Sequence, residues 1–323
     1  MQPRIFVTRS IPENGLELIR ASCQVEIWPG PLPPPKEELL AKSAEVDGLL
    51  TMLTDPVDAD VIAAGDRLRA ISTYAVGFDN IDVSAATERG IPVGHTPGVL
   101  TETTADLAWS LLMCSARRIV EGAGYARAGH WKTWEPTLLL GNDVHRATLG
   151  LVGLGRIGQA MARRARGFSM RVIYYDPGVA ESQVEEAEQV DLDYLLSESD
   201  FVSLHAPLTE TTRNMIDAAA LQKMKPTAAL INTARGPIVD HGALLEALQK
   251  GRPAFAALDV TDPEPLPADH PLYELGRCTI VPHLGSASVA TRSRMAAMAA
   301  DNLLSGLRGQ RMLHCANPEV YNR

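Results

Sequence analysis

Three polar residues each follow an apolar run. Arg235 closes AALINTAR (228–235), Glu264 lies in LDVTDPEP, and His283 follows CTIVP in PHLGSAS. Histidine is the side chain that exchanges protons near neutral pH. A neighbouring carboxylate stabilises its imidazolium. An arginine can fork onto a substrate carboxylate and polarise the adjacent ketone. Reducing a carbonyl by hydride transfer needs these services, because the new alkoxide must be given a proton. Taken singly each residue has an ordinary reading: a surface ion pair, a solvated Glu in a Pro-rich loop, a His satisfying a backbone carbonyl. All three after strand runs of one sheet is a less ordinary coincidence, because ligands of open α/β sheets bind at the carboxyl ends of the strands.

A hydride donor has a matching signature. Gly153-Leu-Gly155-Arg-Ile-Gly158 follows the strand run TLGLV and opens the helical stretch RIGQAMARRARGF. Gly153 permits a tight turn, Gly155 lets backbone N–H groups approach a pyrophosphate, and Gly158 lets the helix pack on the sheet. The helix start adds partial positive charge for phosphates. Asp176 ends the next strand run, 18 positions past Gly158. A carboxylate there accepts from adenosine ribose hydroxyls and repels a 2′-phosphate, and the residues that follow, PGVAES, contain no Arg. NAD(H) is therefore favoured, with NADP(H) possible. The competing reading is a strand-end Asp that caps its own turn.

The elements that must position these residues are legible as short apolar runs between helical stretches. In residues 4–94 strands are expected at RIFV (4–7), QVEIW (24–28), DGLLTM, AISTYAVG and IPVGHTP. Helices are expected in IPENGLELIRAS, KEELLAKSAEV, VDADVIAAGDR and IDVSAATERG, the last closed by Gly90. PGPLPPP (29–35) is stiff and suits no ladder. A helix is expected over 102–121, then strands at RVIYYD (171–176), DFVSLH (200–205), AALINT (228–233), AALDV (256–260) and CTIVP (278–282). Continuous apolar runs of this length are what parallel strands covered on both faces look like. The expected fold is α/β: two Rossmann-like, doubly wound parallel-sheet domains with a cleft between them. The long helix from 287 is expected to return to the first region. The first domain is then discontinuous, 1–98 and 288–323, around a dinucleotide-binding domain at 99–287.

Composition excludes other classes. The chain has 323 residues, enough for two domains, with 46% hydrophobic and 21% charged residues, which is not disordered composition. Its net charge of −9 disfavours a nucleic-acid partner, which needs a basic surface. The densest basic run, RRARGFSMR (163–171), reads as a solvated helix face. No stretch approaches a membrane span, the start lacks a signal-peptide core, and Cys23, Cys114, Cys278 and Cys315 show no C-x-x-C spacing. Reduced cysteines, no metal and a cytoplasmic location are the expectation.

The motifs YAVGFDNID, HTPGVLTETTADLAWSLL, LGLVGLGRIGQAMARRARGF, SDFVSLHAPLTETT, MKPTAALINTARGPIVD, LDVTDPEP and PHLGSAS span about residues 74–288. In these the chain resembles the D-isomer-specific 2-hydroxyacid dehydrogenases, most closely their glyoxylate/hydroxypyruvate reductase branch. The resemblance implies that Arg235 binds substrate, Glu264 pairs with the acid, and His283 is the general acid/base. It implies that backbone N–H groups of Ala75, Val76 and Gly77 meet the substrate carboxylate, with His283, Ser286 and Leu100 also on the substrate side. It places Thr104, Gly153, Gly155, Arg156, Ile157, Gly158, Asp176, His205, Ala206, Pro207, Thr212, Thr233, Ala234, Arg235, Asp259, His283, Gly285 and Ser286 in the cofactor site. A homodimer, and closure about hinges near Pro97-Gly98 and Gly285-Ser286, are further expectations.

The chain also departs from that branch. Members of it often use NADPH, with a Ser-Arg or similar pair after the second strand, where this chain has YYDP. Mammalian-type members carry a Trp that reaches a neighbouring subunit, where this chain has Leu138 in WEPTLLLG. Trp131 and Trp134 are expected either at a dimer interface or over the domain's own core. The expected reaction is NADH-dependent reduction of glyoxylate or hydroxypyruvate to the D-2-hydroxyacid. D-lactate and D-3-phosphoglycerate dehydrogenases are rivals of the same class. Formate dehydrogenase is disfavoured because it pairs its His with Gln. A non-catalytic NAD-sensing protein on the same fold is a rival of another class.

Overall fold

The computed structural model describes residues 2–179, 184 and 187–322. The chain divides into two compact units, Met1–Leu100 with Ala287–Arg323, and Thr101–Ser286.

The first unit is built on strands β1 (Arg4–Val7), β2 (Gln24–Ile27), β3 (Gly48–Thr51), β4 (Ala70–Thr73) and β5 (Val93–Gly94). All pair in parallel, in the order β2-β1-β3-β4-β5. Helices α1 (Glu13–Arg20), α2 (Lys36–Glu45), α3 (Ala59–Ala64) and α4 (Val83–Glu88) connect them. β3 and β4 are buried at every position, the mark of strands covered on both faces. One face packs Phe6, Leu49 and Ile71 against the α2–α4 side. The other packs Ile5, Val7, Leu50 and Ala70 with Ala296, Ala299, Ala300 and Leu303 of the C-terminal helix. That helix belongs to this unit. Its seating is close: a methyl on Gly15 would stand 2.7 Å from the Ala296 side chain. Ser72 Oγ donates to the Ala299 carbonyl at 2.9 Å, and Tyr74 donates to that of Arg292 at 2.8 Å. Burial raises the Tyr74 phenol to about 12, so it stays a donor.

The second unit carries α5 (Thr101–Ala116), α6 (Ile119–Arg127), β6 (Thr148–Val152), α7 (Arg156–Arg166), β7 (Arg171–Tyr175), β8 (Ala187–Gln189), α8 (Leu192–Glu198), β9 (Phe201–Leu204), α9 (Ala218–Lys223), β10 (Ala229–Asn232), α10 (His241–Gln249), β11 (Phe255–Leu258) and β12 (Cys278–Ile280). The chain then enters α11 (Val289–Leu307) of the first unit. The seven strands are parallel, in the order β12-β11-β10-β9-β6-β7-β8. The order reverses between β6 and β9, which is the switch point where such sheets bind dinucleotides. Aspartates set many of the helix starts: Asp58, Asp82, Asp191, Asp217 and Asp240 each accept the N–H three residues on.

One expectation needs correction, one strand was not anticipated, and one reading gains a detail. The helix over 102–121 is two helices, because Arg118 adopts φ 52 and turns the chain between them. Edge strand β8 has no apolar run to announce it, only AEQ with two exposed residues. The basic run at 163–171 is ion-paired as well as solvated: Arg163 bonds Glu102 at 2.8 Å, and Arg164 bonds Asp106 at 2.5 Å and Glu102 at 2.9 Å. These pairs tie α7 to α5.

Candidate active site

The glycine loop sits at the switch point. Gly153 has φ +93, and a methyl on it would stand 2.8 Å from Ala206 N and from the His205 carbonyl carbon. The ends of β6 and β9 therefore meet, and only glycine fits both the dihedral and the contact. A methyl on Gly158 would overlap the Gly153 carbonyl, so α7 packs hard on the turn. Gly155 is different: nothing lies within 4 Å of a methyl there. It is also the N-cap of α7 and offers no side chain to the helix start. The first-turn N–H groups, including those of Arg156 and Ile157, have no intrahelical partners. An open cradle with unsatisfied donors and a helix dipole behind it fits a pyrophosphate.

Asp176 does two things. Its Oδ2 accepts from Leu154 N at 2.8 Å inside the glycine loop, and its Oδ1 accepts from Gly178 N at 2.9 Å. The turn-capping reading is thus true of one oxygen, while the other braces the loop. Each oxygen keeps a second lone pair for a further donor. The stretch expected to lack an Arg runs on into Ala180–Ser182, which lies outside the described residues.

His205, after β9, is half-buried, but its Nδ1 is sealed without a hydrogen-bond partner among the described residues. Nε2 lies 2.9 Å from Ser203 Oγ. Burial pushes its pKa down from 6.5 to about 3, so the folded ring is neutral. An unfolded histidine takes a proton near 6.5 that the folded one refuses. Between those values stability falls as pH falls, by up to about 1.4 kcal/mol per pH unit. Urea unfolding at pH 7 and pH 5 should show wild type losing more stability on acidification than His205→Gln. Equal losses would contradict the burial argument.

Some expected cofactor residues shape the backbone. Thr212 Oγ1 donates to the Pro207 carbonyl at 2.7 Å and accepts from Thr209 N at 2.8 Å, closing the loop after β9. Thr104, buried on α5, donates to the Gly285 carbonyl at 3.0 Å. Thr233, by contrast, has a buried hydroxyl with no hydrogen-bond partner among the described residues, a polar atom that a bound cofactor could satisfy.

Arg235, Glu264 and His283 follow β10, β11 and β12, three adjacent strands, at their carboxyl ends. Arg235 Nη1 donates to the Ala234 carbonyl at 2.9 Å. Glu264 Oε1 and His283 Nδ1 are 2.6 Å apart, with side-chain exposures of 32% and 27%, so the pair is reachable from solvent. A carboxylate only accepts, so Nδ1 carries the proton of this bond and Nε2 is left to exchange one. His283 adopts φ 52, an unusual backbone for a residue with a side chain. The buried Asp259 holds it there. Its carbonyl accepts from His283 N at 2.9 Å, Oδ1 from Leu284 N at 2.5 Å, and Oδ2 from Gly285 N at 2.8 Å. Burial raises the Asp259 carboxyl, against the pull of those amides.

In the first unit, Ala75–Gly77 follow β4. The Ala75 carbonyl accepts from Thr96 N at 2.8 Å, and that of Val76 accepts from His95 Nδ1 at 2.9 Å. Of the expected hinges, Gly98 has φ +82 with open space around it, and Gly285 is pinned by Asp259 and Thr104. Trp131 and Trp134 are 66% and 79% exposed, so neither covers its own core. Asn232, whose amide folds the Arg235 loop, was not singled out by sequence. The only sign was a lone amide at the end of an apolar run. Among the described residues no group of His, Cys, Asp and Glu could hold a metal, and no helix is long and apolar enough to cross a membrane.

Sheet order, glycine loop and the Glu264–His283 pair on neighbouring strand ends together fit an NAD(P)-dependent oxidoreductase. Comparison with known proteins identifies the kind. Residues 109–285 match the family model of the D-isomer specific 2-hydroxyacid dehydrogenase NAD binding domain. The chain is 52% identical over 323 residues to the glyoxylate reductase of Korarchaeum cryptofilum, covering 99% of this chain and 97% of that one. The crystal structure of the TT0316 protein from Thermus thermophilus superimposes with a TM-score of 0.92 at 49% identity, covering 97% of this chain and 99% of that one. That of an NADPH-dependent glyoxylate/hydroxypyruvate reductase from Sinorhizobium meliloti, in complex with NADP and malonate, gives 0.88 at 30% identity, with 98% of each chain covered. The chain belongs to the D-isomer-specific 2-hydroxyacid dehydrogenase family.

Proposed function

We propose that the chain reduces a small 2-oxoacid, glyoxylate or hydroxypyruvate, to the D-2-hydroxyacid with NADH as hydride donor. The observation that carries this is the 2.6 Å Glu264–His283 pair at the carboxyl ends of the same parallel sheet as the glycine cradle. A nicotinamide held at this site would supply the hydride for the substrate carbonyl. Gly155 and the start of α7 take the pyrophosphate, Asp176 accepts from the adenosine ribose, and Thr233 offers its buried hydroxyl. Arg235 forks onto the carboxylate and draws electron density from the neighbouring ketone. His283 Nε2 gives its proton to the developing alkoxide. Glu264 keeps the proton on Nδ1 and fixes the ring's orientation. The backbone N–H groups of Ala75, Val76 and Gly77 are a further proposed carboxylate contact, resting on the family resemblance.

The preference for NADH rests on the Asp176 carboxylate, which would meet a 2′-phosphate with like charge. The named activities of the Korarchaeum and Sinorhizobium relatives support the substrate class, and the NADPH-dependence of the latter makes the cofactor a real question. The deciding experiment follows the loss of reduced-nicotinamide absorbance with glyoxylate and with hydroxypyruvate, each with NADH and NADPH. Faster turnover with NADH is expected. Turnover with NADPH alone would overturn the Asp176 argument. Absence of turnover with these and other 2-oxoacids would favour an NAD-sensing role. A homodimer is proposed from the family's habit and from the exposed Trp131 and Trp134.

A further inference from the structure

Asn232 is an amide at the last position of a strand whose four residues are all fully buried. An amide there costs free energy unless both ends are hydrogen-bonded. Both are, and both bonds go to the Arg235 loop. Oδ1 accepts from Ala234 N at 3.0 Å, and Nδ2 donates to the Arg235 carbonyl at 2.9 Å. The side chain thus closes a local turn, as Asn does when it substitutes for a backbone partner. The Asn232 carbonyl in turn accepts from Asp259 N at 2.8 Å, tying this turn to the residue that holds the His283 loop. On the far side of Arg235 the chain is also confined, because any methyl on Gly236 would overlap the Thr261 carbonyl. Arg235 itself is extended, with φ −141 and ψ 140, and its Nη1 returns to the Ala234 carbonyl.

We propose that Asn232 is a positioning residue that sets the direction of the Arg235 guanidinium, acting through the backbone of residues 234 and 235. The proposal rests on the reading of Arg235 as the group that meets the substrate carboxylate. A fork must be aimed in plane to make two hydrogen bonds, and a misplacement of about 1 Å can cost on the order of 100-fold. The amide is the side chain suited to the task, since the loop needs an acceptor and a donor side by side, close to the strand.

The test uses Asn232→Asp, Asn232→Ser, Arg235→Ala and the double variant Asn232→Asp/Arg235→Ala in the full-length chain. Asn232→Asp keeps an acceptor for Ala234 N but turns a second oxygen onto the Arg235 carbonyl. Asn232→Ser keeps a shorter acceptor with no charge, and serves if the first variant does not fold. The expected result is a rise of roughly 10- to 100-fold in KM for glyoxylate. NADH affinity by fluorescence titration should stay near wild type, and the double variant should be no worse than Arg235→Ala alone. A folded Asn232 variant with wild-type KM, while Arg235→Ala raises it, would overturn the proposal and leave the reading of Arg235 intact. An Arg235→Ala protein with wild-type KM would sink that reading, and the proposal with it. A double variant clearly worse than Arg235→Ala would show that Asn232 acts by another route.

Discussion

His283→Ala should lower the rate of 2-oxoacid reduction by about 100- to 10,000-fold, the usual worth of a positioned proton donor. NADH affinity should barely change. The ring is replaced by a methyl, but the backbone that the cofactor region shares is held from elsewhere. Asp259 binds the amides of residues 283, 284 and 285, and none of those bonds involves the imidazole. The substitution should therefore separate chemistry from binding. Initial rates at saturating glyoxylate, set beside a nicotinamide fluorescence titration, measure the two quantities. Near-wild-type turnover would remove His283 from the role. Loss of NADH binding would show that the ring supports the fold of the loop. Glu264→Gln should do less harm, since an amide oxygen can still accept from Nδ1 and only the charge is lost.

Arg235→Lys should reduce kcat/KM by roughly 30- to 5,000-fold, the equivalent of about 2–5 kcal/mol for breaking a desolvated charged hydrogen bond. Charge is conserved, so a purely electrostatic role would survive. A lysine offers a point charge on a flexible stem and cannot present two parallel donors. It would also lose the guanidinium bond to the Ala234 carbonyl that helps orient the native side chain. The loss should appear in the KM for the oxoacid as well as in kcat, because the carboxylate is held in ground state and transition state alike. Steady-state kinetics over a wide glyoxylate range would show it. A lysine variant within a few-fold of wild type would mean that Arg235 supplies charge and no fork.

Much of the architecture was legible because parallel strands buried on both faces leave continuous apolar runs. Phe201–Leu204 and Ala229–Asn232 are such runs. The glycine spacing was legible because each glycine answers a separate steric demand, and the structure shows those demands at Gly153 and Gly158. The break at Arg118 was not, since a left-handed arginine has no compositional sign and the apolar pattern runs on through α6. Strand β8 was missed because an edge strand has one partner and little to bury. Within the candidate site, residues that end a strand run and could react stood out. Those that hold them did not. Asn232 looks like any strand-end amide until its two bonds are seen. Asp259 was expected to face a cofactor, while its carboxylate oxygens take the amides behind His283.

The return of α11 to the first unit has a consequence for biosynthesis. The ribosome delivers β1 to β5 first, yet one face of that sheet is completed only by Ala296, Ala299, Ala300 and Leu303, made after the whole of the second unit. The intervening segment, Thr101–Ser286, is contiguous and can acquire its structure while the earlier strands wait. During that interval Ile5, Val7, Leu50 and Ala70 are covered only in part, by Leu16 and Ile19 of α1. A nascent chain stalled before residue 289 would carry a finished second unit and a partly exposed apolar sheet. Docking of α11 is thus the step that buries the rest of this face.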